Sequence, residues 1–238
     1  MTLEPGTADI IQLAWARRLG LDDAAFTAAR ESGERITRAD ESARAVQFVR
    51  LFGSSALVGP QWALDAAVGI PDEDMAQHVT LLTITRNHGG HGLGAAALFF
   101  ADDLPLLQPS EELTVSHGNP EAVELEGLCP PDDVNEVGLS DLEHRFTIMH
   151  REDGRTVPVA CGAYTEWEGI LAHMGVLVAP GWRRRGLGSL AASIAAHEAL
   201  ASGLTLQWRA DVSNKGSLAT ARSLGFATGG IQTSVLLD

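Results

Sequence analysis

The spacing of hydrophobic and polar positions changes along the second half of the chain and separates strands from helices. Residues 170–178 are mostly apolar and predict a strand. In residues 204–212 apolar and polar residues alternate, which predicts a strand with one buried face. Between them, Gly203 is placed to end a helix whose apolar positions recur three and four residues apart, at Leu187, Leu190, Ala191 and Ile194.

Similar patterns surround this stretch. Asn119-Pro120 starts a helix, because proline suits the first helical position, and Asn214 supplies the N-cap of the last helix. The predicted order begins with a strand at 113–117, the helix from Asn119 and a second helix at 133–142. A hairpin of 145–150 and 156–165 follows, with its turn at Asp153-Gly154. Next come the strand at 170–178, the helix that Gly203 ends, the strand at 204–212, the helix that Asn214 caps and a last strand at 231–237.

The first 108 residues carry weaker patterns. Helices are predicted at 7–18 and from Pro60 to Ala67, and strands at 46–51 and 56–59. Asp72 is predicted to cap a further helix with one apolar face, formed by Met75, Val79 and Leu82. Residues 105–112 are rich in proline and polar residues, so we place a boundary there and predict two domains, 1–108 and 109–238.

Composition narrows the class of protein. The net charge of −14 disfavours nucleic acid and anionic membranes as partners, whereas it suits a cationic amine. No apolar run approaches the ~18 residues of a membrane span, and the N-terminus lacks the pattern of a signal peptide. The two cysteines lie in different elements and are expected to stay reduced in a cytoplasmic protein.

A basic, glycine-bearing turn joins the strand at 170–178 to the following helix. It contains Arg183, Arg184 and Arg185, followed by Gly186 and Gly188. Unpaired N–H groups at a helix N-terminus favour an anion, and glycine lets a ligand approach the backbone. The turn lacks the lysine of a P-loop, and the dinucleotide fingerprint matches it poorly because an acidic partner is missing. The turn is therefore predicted to bind a phosphate.

Residues 183–188 resemble the pyrophosphate loop of the GNAT superfamily of acyl-CoA-dependent N-acyltransferases. That loop has the pattern [RQ]-x-x-G-x-[GA] after a strand that carries V-x-P, here Val178-Ala179-Pro180. The family's N-x-x-[AS] and L-G-F motifs match Asn214, Ser217 and residues 224–226. The resemblance implies a mixed α/β (α+β) fold, with a mostly antiparallel sheet flanked by helices in residues 109–238.

The resemblance also implies a co-substrate, acetyl-CoA or another acyl-CoA, and the residues that hold it. The pantetheine arm would pair with the backbone of Val176, Leu177 and Val178, as an added strand would. Asn214 and Ser217 would lie near the same arm, although both also suit helix capping. The pyrophosphate would lie on the loop and the start of the helix, at Arg183, Arg184, Arg185, Gly186, Leu187, Gly188 and Ser189.

The catalytic groups are less well matched. The family commonly places a thiolate-protonating tyrosine where this chain has Ala221, which leaves water, Ser217 or the single tyrosine, Tyr164, as the acid. A base is needed because an alkylamine has a pKa near ~10.4 and must lose a proton before it attacks. Ala172 is near the family's usual glutamate position, which leaves His173, Glu166, Glu168 or water as the base.

A second glycine-rich run, residues 87–94, raises an alternative for the N-terminal region. Residues 86–89 faintly resemble the loop at 183–188, so with a strand before and a helix after it this region would be a degenerate GNAT-like half. Otherwise the run is an ordinary turn from a helix to a strand, which glycines favour. His88 and His91 lack a third ligand, and no metal is expected.

The sequence therefore predicts an acetyltransferase that acts by direct attack of an amine on the thioester. The acceptor would be a small-molecule amine, a peptide N-terminus or a lysine, and a homodimer is left open. The alternative is a non-catalytic acyl-CoA-binding or regulatory module, which Ala221 favours.

Overall fold

Helices and strands alternate along the chain in a computed structural model, which describes residues 2–152 and 154–238. Asp153 of the predicted hairpin turn lies outside these residues. The helices are α1 (Thr7–Arg18), α2 (Ala25–Ser32), α3 (Gln61–Ala66), α4 (Asp72–Met75), α5 (His78–Thr85), α6 (Asn119–Gly127), α7 (Pro131–Val137), α8 (Leu187–Ala201) and α9 (Lys215–Leu224). The strands are β1 (Ile36–Ala39), β2 (Ala45–Leu51), β3 (Ser54–Gly59), β4 (His91–Ala101), β5 (Leu113–Ser116), β6 (His144–Glu152), β7 (Arg155–Trp167), β8 (Leu171–Val178), β9 (Thr205–Asp211) and β10 (Ala227–Leu236).

The chain divides into two units. The first contains residues 2–3, 100–208 and 219–227, and the second contains residues 4–99, 209–218 and 228–238. Two C-terminal segments thus join the unit built mainly from N-terminal residues. The two-domain division at residue 108 stays a prediction.

The first unit is a mixed sheet with helices on both faces. Its strands lie in the order β5-β6-β7-β8-β9, antiparallel except for the parallel pair β8 and β9. Gly162 of β7 lies against the backbone of Ala191 in α8, whereas Gly175 of β8 faces Val137 of α7 and Leu142. The predicted fold, a mostly antiparallel sheet flanked by helices, is confirmed.

Helix α8 packs closely on this sheet because its inner face is built from small and medium apolar residues. Leu187, Leu190 and Ala191 are buried against Ile148 and against Val159 and Ala160 of β7. Burial of one leucine side chain stabilises a fold by about 1.5–3 kcal/mol. The packing therefore holds the N-terminus of α8 at the end of β8, where the basic turn lies.

The second unit has its own sheet and core. Its strands lie in the order β1-β3-β2-β10-β4, with β1 and β3 parallel and β2 antiparallel to both β3 and β10. The predicted helix at 7–18, both early strands and the helix after Pro60 are confirmed. Strand β1 and helix α2 were not predicted, since neither has a clear apolar period. The core is formed by the cluster Val46, Phe48, Leu57, Ala63, Leu64, Ala67, Met75, Leu81 and Val235.

The single helix predicted from Asp72 is wrong. The chain forms two short helices instead, α4 and α5, because Gln77 between them has an extended backbone. This break also changes the direction of the side chains: Met75 is buried, whereas Val79 is 63% exposed. One continuous apolar face therefore does not form.

Residues 87–94 form the ordinary turn, and the degenerate acyl-CoA loop is wrong. Helix α5 precedes the run, residues 86–88 form a 3-10 turn, and strand β4 begins within the run at His91. Within α5 the hydroxyls of Thr83 and Thr85 donate hydrogen bonds to the carbonyls of Val79 and Leu81, four residues back, so these polar groups are satisfied inside the helix. Across the described residues, no helix is long and apolar enough to cross a membrane.

Candidate functional site: an anion loop beside an open strand edge

The C-terminal half of β8 has one unpaired edge. The ladder with β9 covers Leu171–Met174 only, while β8 continues to Val178. On the other side, the N–H of Ala179 donates to the carbonyl of Val159 at 3.0 Å, which makes Ala160 and Val178 a non-hydrogen-bonded pair. The backbone N–H and C=O of Val178, and of Val176 two residues before it, therefore point away from β7.

Of the three backbone positions predicted for the pantetheine arm, these two are oriented to pair with an added strand. Leu177 lies between them, so its backbone groups face β7, and its side chain is buried beneath α6 and α7. Val176 and Val178 place their side chains against α8. The available edge of β8 thus consists of two residues.

The turn after β8 leads into α8 through two residues with positive φ, Arg184 and Gly186. Pro180–Trp182 form one 3-10 turn, Arg184 has a φ of 61°, and Gly186 has a φ of 78° immediately before α8. Among the described residues, no side chain caps α8 at Gly186. The first N–H groups of the helix, from Leu187 onward, are therefore available to a ligand.

Gly188 lies in the first turn of α8 and faces the same strand edge. A Cβ atom added there would meet the Val178 Cγ2 atom at 3.5 Å and the Val176 Cγ1 atom at 4.0 Å, both ordinary contacts. The protein itself therefore does not require glycine at this position. The space it leaves lies where the loop and the open edge of β8 meet.

Arg183 connects the loop to α7. Its Nη2 donates to the Asp133 Oδ2 atom at 2.5 Å, and its Nε donates to the carbonyl oxygen of Val178 at 3.2 Å. The ion pair is partly exposed, with 43% of the Arg183 and 36% of the Asp133 side chain accessible. In this structure the Arg183 guanidinium is therefore hydrogen-bonded to the Val178 carbonyl, one of the backbone groups predicted to bind pantetheine.

Arg184 and Arg185 are exposed. The guanidinium of Arg185 lies over the ring of Trp182, 4.7 Å from its centroid, and Trp182 in turn contacts the ring of His150 at 4.5 Å. Trp182 also packs against the apolar clusters on both faces of the sheet. It acts as a packing anchor that orients Arg185.

The four candidate catalytic residues lie on different sides of the sheet. Tyr164 is on the α8 face, like Gly162 two residues before it, and so is Glu166. His173 is on the opposite face, which it shares with Gly175. Glu168 lies in the turn between β7 and β8 and has a φ of 56°. The structure therefore does not bring these four residues together.

Tyr164 lies at the far end of α8 from the loop. Its phenol contacts Ser202 and its ring stacks on His144 at 4.4 Å. Burial, together with the charges of Glu166 and Glu198, raises the pKa of Tyr164 above its usual value. The phenol stays protonated at neutral pH, yet a helix of 15 residues, about 22 Å long, separates its surroundings from the loop.

His173 lies on the strand that leads to the loop and on the face covered by α6 and α7. Its ring stacks on Trp167 at 4.5 Å, and its Nδ1 is 3.2 Å from the Nε2 of Gln207. Gln207 is fully buried, although it falls on the polar side of the alternating pattern in 204–212. This contact fixes the imidazole plane, and no feature of the sequence indicated it.

Asn214 and Ser217 serve the start of α9. The Asn214 Oδ1 atom accepts a hydrogen bond from the N–H of Ser217 at 2.9 Å, which is the predicted N-cap. Ala221 of the same helix is fully buried and offers no titratable group. The described residues contain no group of three or more acidic, histidine or cysteine side chains that could hold a metal ion.

Cys129 is a member of the site that the sequence did not indicate. Its thiol lies 3.8 Å from the carbonyl oxygen of Val178, at the open strand edge. Burial raises the pKa of the Cys129 thiol, although the neighbouring Arg183 acts in the opposite direction. Only the packing of α6 and α7 on β8 brings Cys129, Asp133 and Arg183 together.

Comparison with known families places this site within a sequence family. Residues 119–226 match the Acetyltransferase (GNAT) family. This range contains β8, the loop and α8, and it begins at the first residue of α6. No curated protein matches the chain.

Two solved structures with a TM-score of 0.50 share the fold, and a third is less similar. A GCN5-related N-acetyltransferase-like protein from Streptococcus suis is 16% identical and has a TM-score of 0.50, over 84% of this chain and 87% of that one. A Drosophila protein is 16% identical with a TM-score of 0.50, over 65% of this chain and 55% of that one. A GCN5-related N-acetyltransferase from Kribbella flavida is 20% identical with a TM-score of 0.44, over 66% and 63%. This chain thus spans less than two thirds of the last two proteins.

Proposed function

Residues 119–226 belong to the GNAT acetyltransferase family, and from this premise we propose that the protein transfers an acetyl group from acetyl-CoA to an amine. The family supports acyl transfer from acyl-CoA in general. The amine acceptor and the direct attack are our proposal. The observation that carries it is the uncapped N-terminus of α8 beside the open edge of β8.

The residues present fit acetyl-CoA. The N–H groups at the start of α8 and the guanidiniums of Arg184 and Arg185 provide the donors that a diphosphate needs. The outward-facing backbone of Val176 and Val178 suits the amides of a pantetheine arm. When bound, acetyl-CoA supplies an activated thioester. The chain itself binds and orients that thioester and handles protons.

The base is the second part of the proposal. An alkylamine is protonated at neutral pH and must transfer a proton before it attacks. We assign this proton to His173, because its imidazole lies on β8, three residues before Val176 at the open edge, and contacts Trp167 and Gln207. The Gln207 contact to Nδ1 sets the tautomer of the imidazole: with the amide oxygen towards Nδ1, Nδ1 carries the proton and the lone pair that accepts the amine's proton is on Nε2.

The acid is not supplied by a residue at the family's usual position. Ala221 stands there and is buried. A thiol has an ordinary pKa near ~8.5, so the thiolate is a tolerable leaving group near neutral pH without a proton from the protein. Transfer can therefore proceed with water as the proton source.

Ala221 also favours a second function, a non-catalytic acyl-CoA-binding or regulatory module. The two functions share the loop and differ only in turnover. Free-thiol release from acetyl-CoA, measured against a panel of small amines and peptides with free N-termini or lysines, separates them. Amine-dependent release supports the transferase. Tight CoA binding without release for every amine supports the binding module, and absence of CoA binding overturns both.

A further inference from the structure

The second unit contains a cleft that the proposed transfer does not use. It has a volume of about 450 Å³ and lies between the C-terminal end of α1 and strands β1, β2 and β10. Four arginines line it, Arg17, Arg18, Arg38 and Arg44, together with Asp40 and Gln47. The chain has only 17 basic residues and a net charge of −14, so four guanidiniums around one cleft are a local reversal of its charge.

Two of these arginines have roles in the fold. Arg17 forms a two-pronged contact with Asp23, at 2.9 and 2.7 Å. Arg38 donates to the carbonyl of Leu19 at 3.2 Å and lies 3.3 Å from Asp40. Arg17 also belongs to the last turn of α1, where a positive charge stabilises the helix dipole.

Arg44 has no such role. It is exposed, and its guanidinium makes no hydrogen bond or ion pair with any residue in the described ranges 2–152 and 154–238. Three other guanidiniums line the same cleft and repel that of Arg44, while the one carboxylate in the lining, Asp40, is bonded to Arg38 and Ser42. Its position suits an anion that enters from solvent.

A fifth guanidinium, that of Arg209, adds to the positive charge. Much of its surface is exposed, yet desolvation and the nearby charge of Arg18 lower the pKa of Arg209. Arg209 donates to the Gln232 Oε1 atom at 3.1 Å, and the Gln232 Nε2 donates to the Oε1 of Gln47 at 3.3 Å. A chain of polar contacts thus connects the fifth guanidinium to the wall of the cleft.

We propose that this cleft binds a small molecule that carries a multiply charged phosphate group, with Arg44 as its principal contact and the other arginines of the lining around it. Several planar guanidiniums around one space match the oxygens of phosphate better than a single charge would. The volume is that of a small-molecule site. The net charge of the chain disfavours a nucleic acid as the source of that phosphate.

The test uses pyrophosphate as the probe and weakens the loop of the first unit, by removing two of its arginines, in every protein compared. The background is the full chain with Arg183→Ala and Arg185→Ala, and binding is measured by calorimetry at constant ionic strength. Arg44→Gln and Arg18→Gln are compared with Arg86→Gln, a control at an exposed arginine of the same unit. Acetate, with a single charge, serves as the control ligand.

We expect pyrophosphate to bind the background protein and acetate to bind far more weakly. Arg44→Gln should weaken pyrophosphate binding about tenfold or more, the loss of one charge-assisted contact, whereas Arg86→Gln should leave it unchanged. Pyrophosphate should raise the melting temperature of the background protein, and this increase should be smaller in the Arg44→Gln variant. Binding in the wild type that disappears in the background protein, or equal affinities for Arg44→Gln and Arg86→Gln, overturns the proposal. Neither result depends on whether the protein transfers acetyl groups.

Discussion

The turns at 183–188 and 86–94 share an Arg-x-x-Gly pattern and meet their helices at opposite ends. The first runs from β8 into the N-terminus of α8, and the second runs from the C-terminus of α5 into β4. At 183–188 the unpaired groups are N–H donors at the positive end of a helix dipole. At 86–94 they are carbonyl acceptors at the negative end.

The residues that surround the two turns differ in the same way, with acceptor groups around residues 86–94. At 86–94, Gly89 ends the helix in the left-handed conformation, and the carboxylate of Asp238 lies against it. His91 closes the turn through its Nδ1 atom, 2.8 Å from the carbonyl of Gly89. An anion would meet carbonyls and a carboxylate there. The comparison teaches that the direction of the connection, rather than its glycines, decides whether a basic turn can bind phosphate.

The strongest test of this comparison is a side chain at Gly188. Gly188→Val should abolish CoA binding, a loss of at least about a hundredfold, because its methyl groups fill the approach to the loop. Gly188→Ala should weaken binding in the same direction, and both should keep the fold, since a Cβ atom meets only ordinary contacts. Calorimetry measures the affinity and circular dichroism the fold. Gly94→Ala, in strand β4 after the other turn, is the control. Normal CoA binding by a folded Gly188→Val protein would show that the loop at 183–188 is only a connection between β8 and α8.

The second prediction compares one histidine from each region. His173→Ala should lower kcat/KM by roughly a hundredfold near neutral pH, the usual contribution of a general base. Because an imidazole accepts a proton only when neutral, wild-type kcat/KM should rise with pH, and the variant should lose this rise while keeping its CoA affinity. His91→Ala should change neither. If His173→Ala keeps full activity, the general base is Glu166, Glu168 or water instead.

A third prediction concerns the arginines. Arg183→Ala together with Arg185→Ala should weaken CoA binding by about tenfold to a hundredfold, since one charge-assisted phosphate contact contributes about 1.5–3 kcal/mol and Arg183 is held in its ion pair with Asp133. Arg86→Ala, at the matching position of the other turn, should have no effect. Asp133→Asn is a further test of the same arginine. It removes the ion pair that holds Arg183, so CoA affinity should rise a few-fold. Equal CoA affinities in wild type and the double variant would contradict the pyrophosphate site.

The smallest expected effect is a change in thiol reactivity beside the loop. The raised pKa of Cys129 keeps its thiolate fraction low at pH 8, so alkylation should be slower than for a free thiol and should accelerate as pH rises. CoA should slow it further by a few-fold, because the thiol lies at the edge of β8. Cys161 is buried and should react only after unfolding. Mass spectrometry of the labelled peptides checks both sites, and labelling of Cys129 that CoA does not change would place CoA elsewhere.

Local patterns predicted most of the first unit. The alternation in 204–212, the apolar spacing of α8 and the Asn214 cap are interactions between residues close in sequence, so they are visible without the fold. Prediction was weaker in the second unit, where β1 and α2 were missed and two helices were taken for one. These elements are short, and their stability comes from packing that periodicity does not record.

The sequence by itself determined the loop, since its glycines, arginines and flanking periods all lie within one strand, one turn and one helix. Tertiary structure alone decided the neighbours of that loop: Cys129 reaches it from the connection between α6 and α7, Asp133 reaches it from α7, and Gln207 reaches His173 from β9. It also separated Tyr164 and Glu166 from His173, because a sheet turns successive residues to opposite faces and different helices cover them. Contacts between residues far apart in the chain depend on how whole elements pack, and a local pattern does not contain that information.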